Sequence, residues 1–235
     1  MSQYKGIVGQ KVVSYTTDPD NPVQGQVWYN ATANTLKLES ATTSGSWSSG
    51  GNLNTARKRL ASSGNGIQTA TIVFGGDTDP PHVAVAESYN GSSWTEVSDL
   101  NTARDALAGA GTATAALAFG GRPPGQLAVT ESWNGSSWTE TTDLNTARAE
   151  ISGSGIAANA LAAGGDNGTT QVALTEQWSG STWSEDSDMS TARFGLTGSG
   201  TGTLAVVMGG GDPIKNSTEE WLGTGSPLTQ TIDTD

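Results

Sequence analysis

A six-residue motif of the form Asp-Leu-Asn-Thr-Ala-Arg recurs four times along this 235-residue chain, with small changes in the first and last copies. The copies end at Arg57, Arg104, Arg148 and Arg193, so successive copies are 47, 44 and 45 residues apart. A period of about 40–50 residues is typical of propellers and other repeat arrays, in which one supersecondary unit is copied. The chain is therefore expected to fold as a series of similar units.

Three further elements keep the same register. A Gly pair follows each motif, and an acidic residue with an aromatic residue two positions later comes next, as in Glu87-Ser88-Tyr89. In three units a Trp follows that aromatic by five residues and precedes the next motif Arg by ten, a spacing that Trp47 also has to Arg57. The recurring acidic residues are Glu87, Glu131, Glu176 and Glu219, and the recurring Trp residues are Trp94, Trp138 and Trp183.

Each unit is predicted to contain four short strands. In the second unit these are 107–112, 115–119, 127–133 and 138–142, with the pair Gly120-Gly121 ending the second strand. Asn134-Gly135, between the last two, is a strong signal for a tight hairpin because both residues tolerate positive φ. No segment has a sustained helical period.

Four-stranded units at this period predict an all-β fold, a small β-propeller. The Gly pair, the aromatic residue, the following Trp and the period resemble the kelch repeat over roughly residues 52–222. The innermost strands carry small residues, as in 108–111 and 152–155, which suits the crowded axis of a propeller with few blades. Residues 51–235 are thus predicted to form four kelch-like blades.

Residues 1–50 differ from the repeats and leave two alternatives. Segments 11–15, 26–29 and 35–38 alternate like strands, and Trp47 supplies a last-strand aromatic, so this region is predicted to be a divergent fifth blade. A five-bladed propeller is favoured because 235 residues divide into five units that match the repeat period. The alternative is an N-terminal attachment arm beside four blades.

The recurring residues are interpreted mainly as structural. We expect the Trp residues to be buried between strands, since burial of an indole stabilises a fold by several kcal/mol, and the alternative is stacking on sugar rings.

We expect each motif Arg to pair with an acidic residue, Arg57 with Glu87 and so on through Arg193 with Glu219, because a planar guanidinium suits a buried carboxylate. The alternative is a ring of Arg that binds an anion. Asp99, Asp143 and Asp188, each five residues before a motif Arg, are predicted to help satisfy the same guanidinium groups.

The segments after the Gly pairs differ between the repeats, and we predict that they carry recognition. They join the second and third strands, so they share a face with the connections between units, where varied loops on a repeated scaffold are typical of binding surfaces. The candidate ligand-binding residues are Asp77, Asp79, His82, Arg122, Gln126, Asp166, Asn167, Asp212 and Lys215. The alternative is that these loops are neutral.

The amino-acid composition excludes several classes of function for this chain. A formal net charge of −12 opposes binding to nucleic acid and to anionic membranes. Cys is absent and His82 is the single His, so Cys-based sites and His-rich metal sites are excluded. No apolar run approaches membrane-spanning length, and we expect no secretion signal because residues 1–6 open no apolar signal-peptide core. We therefore expect a non-enzymatic protein without metal or cofactor.

A second resemblance concerns the source of the chain. Residues 22–30, Pro-Val-Gln-Gly-Gln-Val-Trp-Tyr-Asn, followed by 35–38, look like an opening segment of structural proteins from marine bacteriophages, and the near-identical repeats look like phage tail or virion proteins. The resemblance implies a structural or binding component of the virion, in a tail, fibre or capsid decoration, made in the host cytoplasm. Its partners would be other virion proteins, copies of itself and a host-surface glycan. The alternative is a carbohydrate-binding or carbohydrate-processing propeller.

Overall fold

The computed structural model describes residues 12–19, 26–38 and 47–223, and this part of the chain contains strands and turns but no helix. No described element is therefore a helix able to cross a membrane. The chain divides into two compact units, Met1–Ser49 and Gly50–Asp235.

The first unit contains a three-stranded sheet of β1 (Val13–Tyr15), β2 (Val27–Asn30) and β3 (Thr35–Leu38). Strand β2 is parallel to β1 and antiparallel to β3, so this sheet differs from the antiparallel blades of the repeats. Its three strands lie where the sequence predicts them. Trp47, which we expected in a last strand, lies outside the described strands and is fully exposed. The five-bladed ring stays a prediction.

The carboxylate of Asp18 links the strands of this sheet. It accepts hydrogen bonds from Asn30 Nδ2 at 2.8 Å and from Trp28 Nε1 at 3.0 Å, and it forms an ion pair with Lys37. These contacts, led by the Asn30 hydrogen bond, lower the pKa of Asp18 to about 2. The carboxylate therefore stays ionised over nearly the whole pH range.

The second unit consists of four successive repeats, each an antiparallel sheet in which sequential strands are neighbours. The first repeat has β4 (Ala61–Ser62), β5 (Thr71–Phe74), β6 (Ala86–Tyr89) and β7 (Trp94–Val97). The second has β8 (Ala108–Gly111), β9 (Ala116–Phe119), β10 (Thr130–Trp133) and β11 (Trp138–Glu140). The third has β12 (Ser152–Ile156), β13 (Asn159–Ala163), β14 (Thr175–Trp178) and β15 (Trp183–Asp186). The fourth has β16 (Thr197–Gly200), β17 (Leu204–Met208) and β18 (Thr218–Leu222) within the described residues.

The all-β, propeller-like fold is thus confirmed, although the described strands do not show a closed ring. The first strands of successive repeats are neighbours, β4 beside β8, β8 beside β12 and β12 beside β16. They approach so closely that a Cβ added to Gly109 would lie 2.1 Å from the carbonyl oxygen of Ser62. Small innermost residues are therefore required by the spacing of the repeats.

The hydrophobic core lies between consecutive repeats. Phe74 packs edge-on against Trp138 of the next repeat with ring centroids 4.8 Å apart. Phe119 packs against Trp183 of the next repeat in a tilted arrangement, with ring centroids 4.9 Å apart. Both Trp side chains are buried, which supports their structural interpretation over sugar stacking. The remaining repeat Trp, Trp94, is half-buried.

Candidate functional site

The motif residues build the scaffold that carries the candidate site. All four predicted Arg–Glu pairs are present. Their nitrogen-to-oxygen distances are 3.1 Å for Arg57–Glu87, 3.0 Å for Arg104–Glu131 and 2.7 Å for Arg148–Glu176, and Arg193 also pairs with Glu219. None of the four Arg side chains is exposed. They are therefore unavailable as an anion-binding ring, and the structural interpretation, in which each motif Arg pairs with a Glu, accounts for them.

The Asn of the motif completes this network, a role that sequence reasoning missed. Glu131 accepts hydrogen bonds from the backbone N–H of Asn101 at 2.6 Å and from its Nδ2 at 2.9 Å. Asn145 contacts Glu176 in the same way, at 2.7 and 2.9 Å. The carboxylate therefore joins the motif to the third strand of the following repeat. The available signal was the recurrence of Asn three residues before Arg in the first three copies of the motif.

Burial lowers the pKa of Arg57, Arg104 and Arg148, and the paired glutamates oppose that effect. The Arg side chains also donate to backbone oxygens, as Arg148 Nη1 does to Leu174 O at 2.7 Å. The ion pair and these bonds together satisfy a charge that would otherwise be costly to bury.

Asp99, Asp143 and Asp188 help the motif Arg residues through their charge and not through hydrogen bonds. The negative charges of these three residues raise the pKa of Arg57, Arg104 and Arg148, respectively, and so oppose the effect of burial. Each carboxylate accepts a hydrogen bond from the first backbone N–H of a third strand, as Asp143 does from Thr130 at 3.1 Å, and none is hydrogen-bonded to a motif Arg in the described residues. A short Asp side chain at this turn reaches the backbone N–H at the adjacent strand end more easily than it reaches the guanidinium.

The loops after the Gly pairs lie beside the connections between repeats, as the sequence predicts. Asp77 and Lys58 exchange backbone hydrogen bonds of 2.9 and 3.0 Å, and Asp105 and Arg122 exchange bonds of 2.9 and 3.1 Å. Lys58 and Asp105, which directly follow Arg57 and Arg104, are therefore fixed to the loops that begin at Asp77 and Arg122. We call the surface formed by loops 77–82, 122–126, 166–171 and 211–216 the loop face.

A cluster of charges on the loop face surrounds Asp105, which is fully buried. Its Oδ1 lies 3.5 Å from Arg122 Nε and 3.6 Å from His82 Nδ1, and its Oδ2 lies 3.5 Å from Arg59 Nη1. Arg122 also contacts Glu150 of the third repeat at 3.0 Å. The structure thus brings together the predicted residues His82 and Arg122 with three that were missed.

The missed residues of the Asp105 cluster follow the motif directly. Asp105 is the next residue after Arg104, while Arg59 and Glu150 stand two residues after a motif Arg, with φ of 55° and 56°. The available signal was that the one or two residues directly after the motif Arg are charged in several repeats, and that their charge differs from one repeat to the next.

Asp77, His82 and Asp105 offer ligand atoms that all lie within 4.8 Å of one another, close enough to be considered as a cation site. A hydrogen bond from the Asp79 backbone N–H at 2.7 Å is the main cause that lowers the pKa of Asp77. Arg59 and Arg122, however, already place two positive charges beside Asp105. Because like charges repel strongly at such distances, the cluster is better described as an ion-pair network than as a metal centre.

The other predicted residues lie on the same face but outside the Asp105 cluster. Asp79 pairs with Lys58 at 3.2 Å, and Asp166 and Asn167 accept backbone hydrogen bonds within their own turn. The described positions of the rest are as follows: Gln126 approaches Gly168 of the next loop, Asp212 bonds with Gln171, and Lys215 bonds through its backbone to Gly210.

A surface cavity of about 280 Å³ lies between the third and fourth loops. It is lined by Asp166, Thr170, Gln171, Phe194 and Asp212, among others. Gln171 ties the loops together, donating from Nε2 to Asp212 O at 2.7 Å and accepting from Asp212 N at 3.2 Å. Two of the predicted ligand residues therefore share one concave site.

Comparison with known protein families found none that matches this chain. Comparison with curated proteins found no match either. The assignment of function therefore depends on the chain's own residues and geometry.

Proposed function

We propose that this chain is a non-enzymatic structural and binding protein of a virus particle, placed in a phage tail, fibre or capsid decoration. It would mediate assembly or host attachment through the loop face. The observation that carries the proposal is that Arg59 and Arg122, from two consecutive repeats, converge on the buried carboxylate of Asp105. Arg122 also contacts Glu150 and so links this cluster to the third repeat. Such a network holds varied loops in one geometry on a repeated scaffold, and preorganised loops lower the entropy lost on binding.

The virion assignment is supported by the resemblance of residues 22–30 and 35–38 to phage structural proteins. The acidic composition agrees with a role in protein or glycan contacts and opposes nucleic-acid contacts. The proposed partners are other virion proteins, further copies of the chain and a host-surface glycan.

The second candidate function is that of a carbohydrate-binding or carbohydrate-processing propeller. The cavity between the third and fourth loops favours it, because Asp166 and Gln171 supply hydrogen-bonding groups and Phe194 supplies a ring on which a sugar can stack. In this alternative Asp166 and Asp212 would be the acidic residues nearest to the ligand.

The test replaces loops 77–82 and 122–126 with Gly-Ser sequences of equal length. We expect loss of binding to host cells or to an array of glycans, while the control replacement of hairpin 134–137 retains it. Mass spectrometry of purified particles is expected to find the chain among the virion proteins. Polysaccharide cleavage that disappears in Asp166→Asn or Asp212→Asn would overturn the non-enzymatic assignment.

A further inference from the structure

Four Asn-Gly dipeptides lie on the surface of the second unit. They begin at Asn65, Asn90, Asn134 and Asn167, and each of these Asn residues is exposed. Asn is a thermolabile residue. It loses its side-chain amide most readily when Gly follows, because Gly has no Cβ to hinder an attack by its own backbone nitrogen. Since exposure does not separate the four dipeptides, a difference in their reactivity must come from their hydrogen bonds.

The reaction needs only the dipeptide, water and a base from the solvent. The Gly backbone nitrogen loses its proton to the base and attacks Cγ of the Asn side chain, so that a new C–N bond forms. The bond from Cγ to the side-chain nitrogen breaks, and this nitrogen takes a proton from the solvent and leaves as ammonia. Water then opens the cyclic imide at either carbonyl, which gives an aspartate linked through its α- or its β-carboxyl group. Nothing is oxidised or reduced.

Three of the dipeptides share a set of hydrogen bonds that favours the reaction. The side-chain oxygen of Asn134 accepts the backbone N–H groups of Ser136 at 2.9 Å and of Ser137 at 3.0 Å. Asn90 accepts the corresponding pair at 3.0 and 2.9 Å, and Asn167 accepts its pair at 3.0 Å from both donors. Because negative charge develops on this oxygen when Cγ is attacked, the two donors stabilise the intermediate.

The attacking nitrogen is free in two of these three dipeptides and held in the third. Gly168 donates its backbone N–H to Asp166 Oδ1 at 2.7 Å. Within the described part of the chain, neither Gly91 nor Gly135 donates its backbone N–H to another residue. The Asp166 carboxylate therefore slows the reaction at Asn167, because its hydrogen bond must break before the nitrogen attacks and its charge opposes loss of the N–H proton.

Asn65 is protected in a different way. Its Nδ2 donates to the carbonyl oxygen of Gly155 at 2.8 Å, and its backbone N–H donates to the carbonyl oxygen of Gly111 at 2.9 Å. These bonds tie the Asn to the third and the second repeat. The amide nitrogen that would leave is thus anchored, and among the described residues no backbone N–H stabilises the side-chain oxygen of Asn65.

We propose that Asn90 and Asn134 are sites of spontaneous deamidation, whereas the fold protects Asn65 and Asn167. The two reactive sites occupy the hairpin between the third and fourth strands in consecutive repeats. Each conversion adds one negative charge to an exposed hairpin. This inference does not depend on the virion assignment.

Conversion at Asn134 also affects a contact between repeats. Ser98, in the connection that leads to the second repeat, donates from Oγ to the carbonyl oxygen of Ser136 at 2.8 Å. The β-linked product lengthens the main chain of hairpin 134–137 by one carbon atom and so displaces this carbonyl. Aged chains therefore differ from fresh ones in the charge and in the geometry of a surface hairpin.

Peptide mapping by mass spectrometry tests the proposal on the full chain, incubated at mildly alkaline pH and physiological temperature. We expect Asn90 and Asn134 to convert about tenfold or more faster than Asn65 and Asn167, which is the effect of one hydrogen bond that must first break. The chain unfolded in urea is the control, and there all four should convert at similar rates. Equal rates in the folded chain, or a folded chain in which Asn90 or Asn134 stays intact, overturns the proposal.

Two variants of the carboxylate test its protective role. Asp166→Ala should raise the rate at Asn167 about tenfold, and a rate at Asn65 that stays low shows that the variant is folded. Asp166→Asn, which can keep the hydrogen bond but lacks the charge, should raise the rate at Asn167 less. An unchanged rate at Asn167 in both variants overturns the protection by Asp166.

The double variant Asn90→Ser, Asn134→Ser tests whether these two sites account for the new charges. Ser179 occupies the same hairpin position in the third repeat, where its Oγ accepts the backbone N–H of Thr182 at 3.3 Å, so Ser is compatible with this turn. We expect ion-exchange chromatography to show acidic species that accumulate about tenfold more slowly than in the wild type. Accumulation at the wild-type rate overturns the proposal.

Discussion

The Arg104 guanidinium lies 3.0 Å from the carboxylate of Glu131, and neither side chain is exposed to solvent. Arg104 belongs to the connection that begins the second repeat, and Glu131 lies in the third strand of the same repeat. The pair therefore locks each connection to its own blade, and the motif Asn adds two further hydrogen bonds to the same carboxylate.

Removal of one partner of this pair should be strongly destabilising. Arg104→Met leaves the Glu131 carboxylate buried without its counter-charge, and such changes lower the free energy of unfolding by about 3–5 kcal/mol. Lys58→Met, at a side chain that is 52 % exposed and pairs with the exposed Asp79, is the control and should lower it by less than about 1 kcal/mol. Urea unfolding followed by Trp fluorescence measures both values, and equal losses would contradict the structural role of the buried pair.

The hydrogen bond between an indole and the neighbouring repeat predicts that one substitution lowers the stability of the protein and that another raises it. Thr130→Val removes the acceptor of Trp183 Nε1 and should destabilise the protein by about 1–3 kcal/mol, since a buried donor is left unpaired.

At the preceding junction the Trp138 Nε1 is buried and has no hydrogen-bond partner within the described part of the chain, and Ala86 stands where Thr130 does in the next repeat. Ala86→Thr should therefore stabilise the protein by about 1 kcal/mol. Thermal unfolding measures both variants, and a loss of stability in Ala86→Thr would show that the added methyl group does not fit.

The close approach of the first strands predicts a position-specific effect of Gly→Ala changes. A Cβ at Gly109 would lie 2.1 Å from Ser62 O, so Gly109→Ala must displace backbone and should destabilise by about 1–3 kcal/mol. Gly125→Ala, with no atom within 4 Å of the added Cβ, is the matched control and should be nearly neutral. Similar denaturation midpoints for the two variants would contradict the close approach of the first strands of neighbouring repeats.

The N-terminal sheet should be sensitive to acid. The pKa of Asp18 is lowered from 3.8 to about 2, so the folded sheet binds this proton less readily than the unfolded chain. The stabilisation is present above pH ~4 and is lost as the pH falls towards 2. The Trp28 indole NMR signal should follow this transition with a midpoint near the pKa of Asp18. Asp18→Asn should abolish it, and a midpoint near pH 4 in the wild type would contradict the contacts of this carboxylate.

Much of the fold could be predicted because a repeat protein is built from local strands and contacts between neighbouring units. The Gly pairs and Asn-Gly hairpins mark strand ends, and the constant spacing of Arg and Glu predicts their pairing before any coordinates are considered. The candidate site was less accessible to such reasoning. Its members His82, Asp105 and Arg122 come from two repeats, and their meeting depends on how one blade is placed against the next.

The amino-acid order by itself determined the repeat period, the all-β units and the partners of the motif Arg residues, since these follow from short-range spacing. Only the tertiary structure decided that Asp143 bonds to a strand end, that Asp105 lies at the centre of the loop-face charges, and that a cavity lies between the third and fourth loops. These outcomes depend on side chains that are distant in sequence and on the volume left when one blade packs on another, and neither quantity is encoded in spacing along the chain.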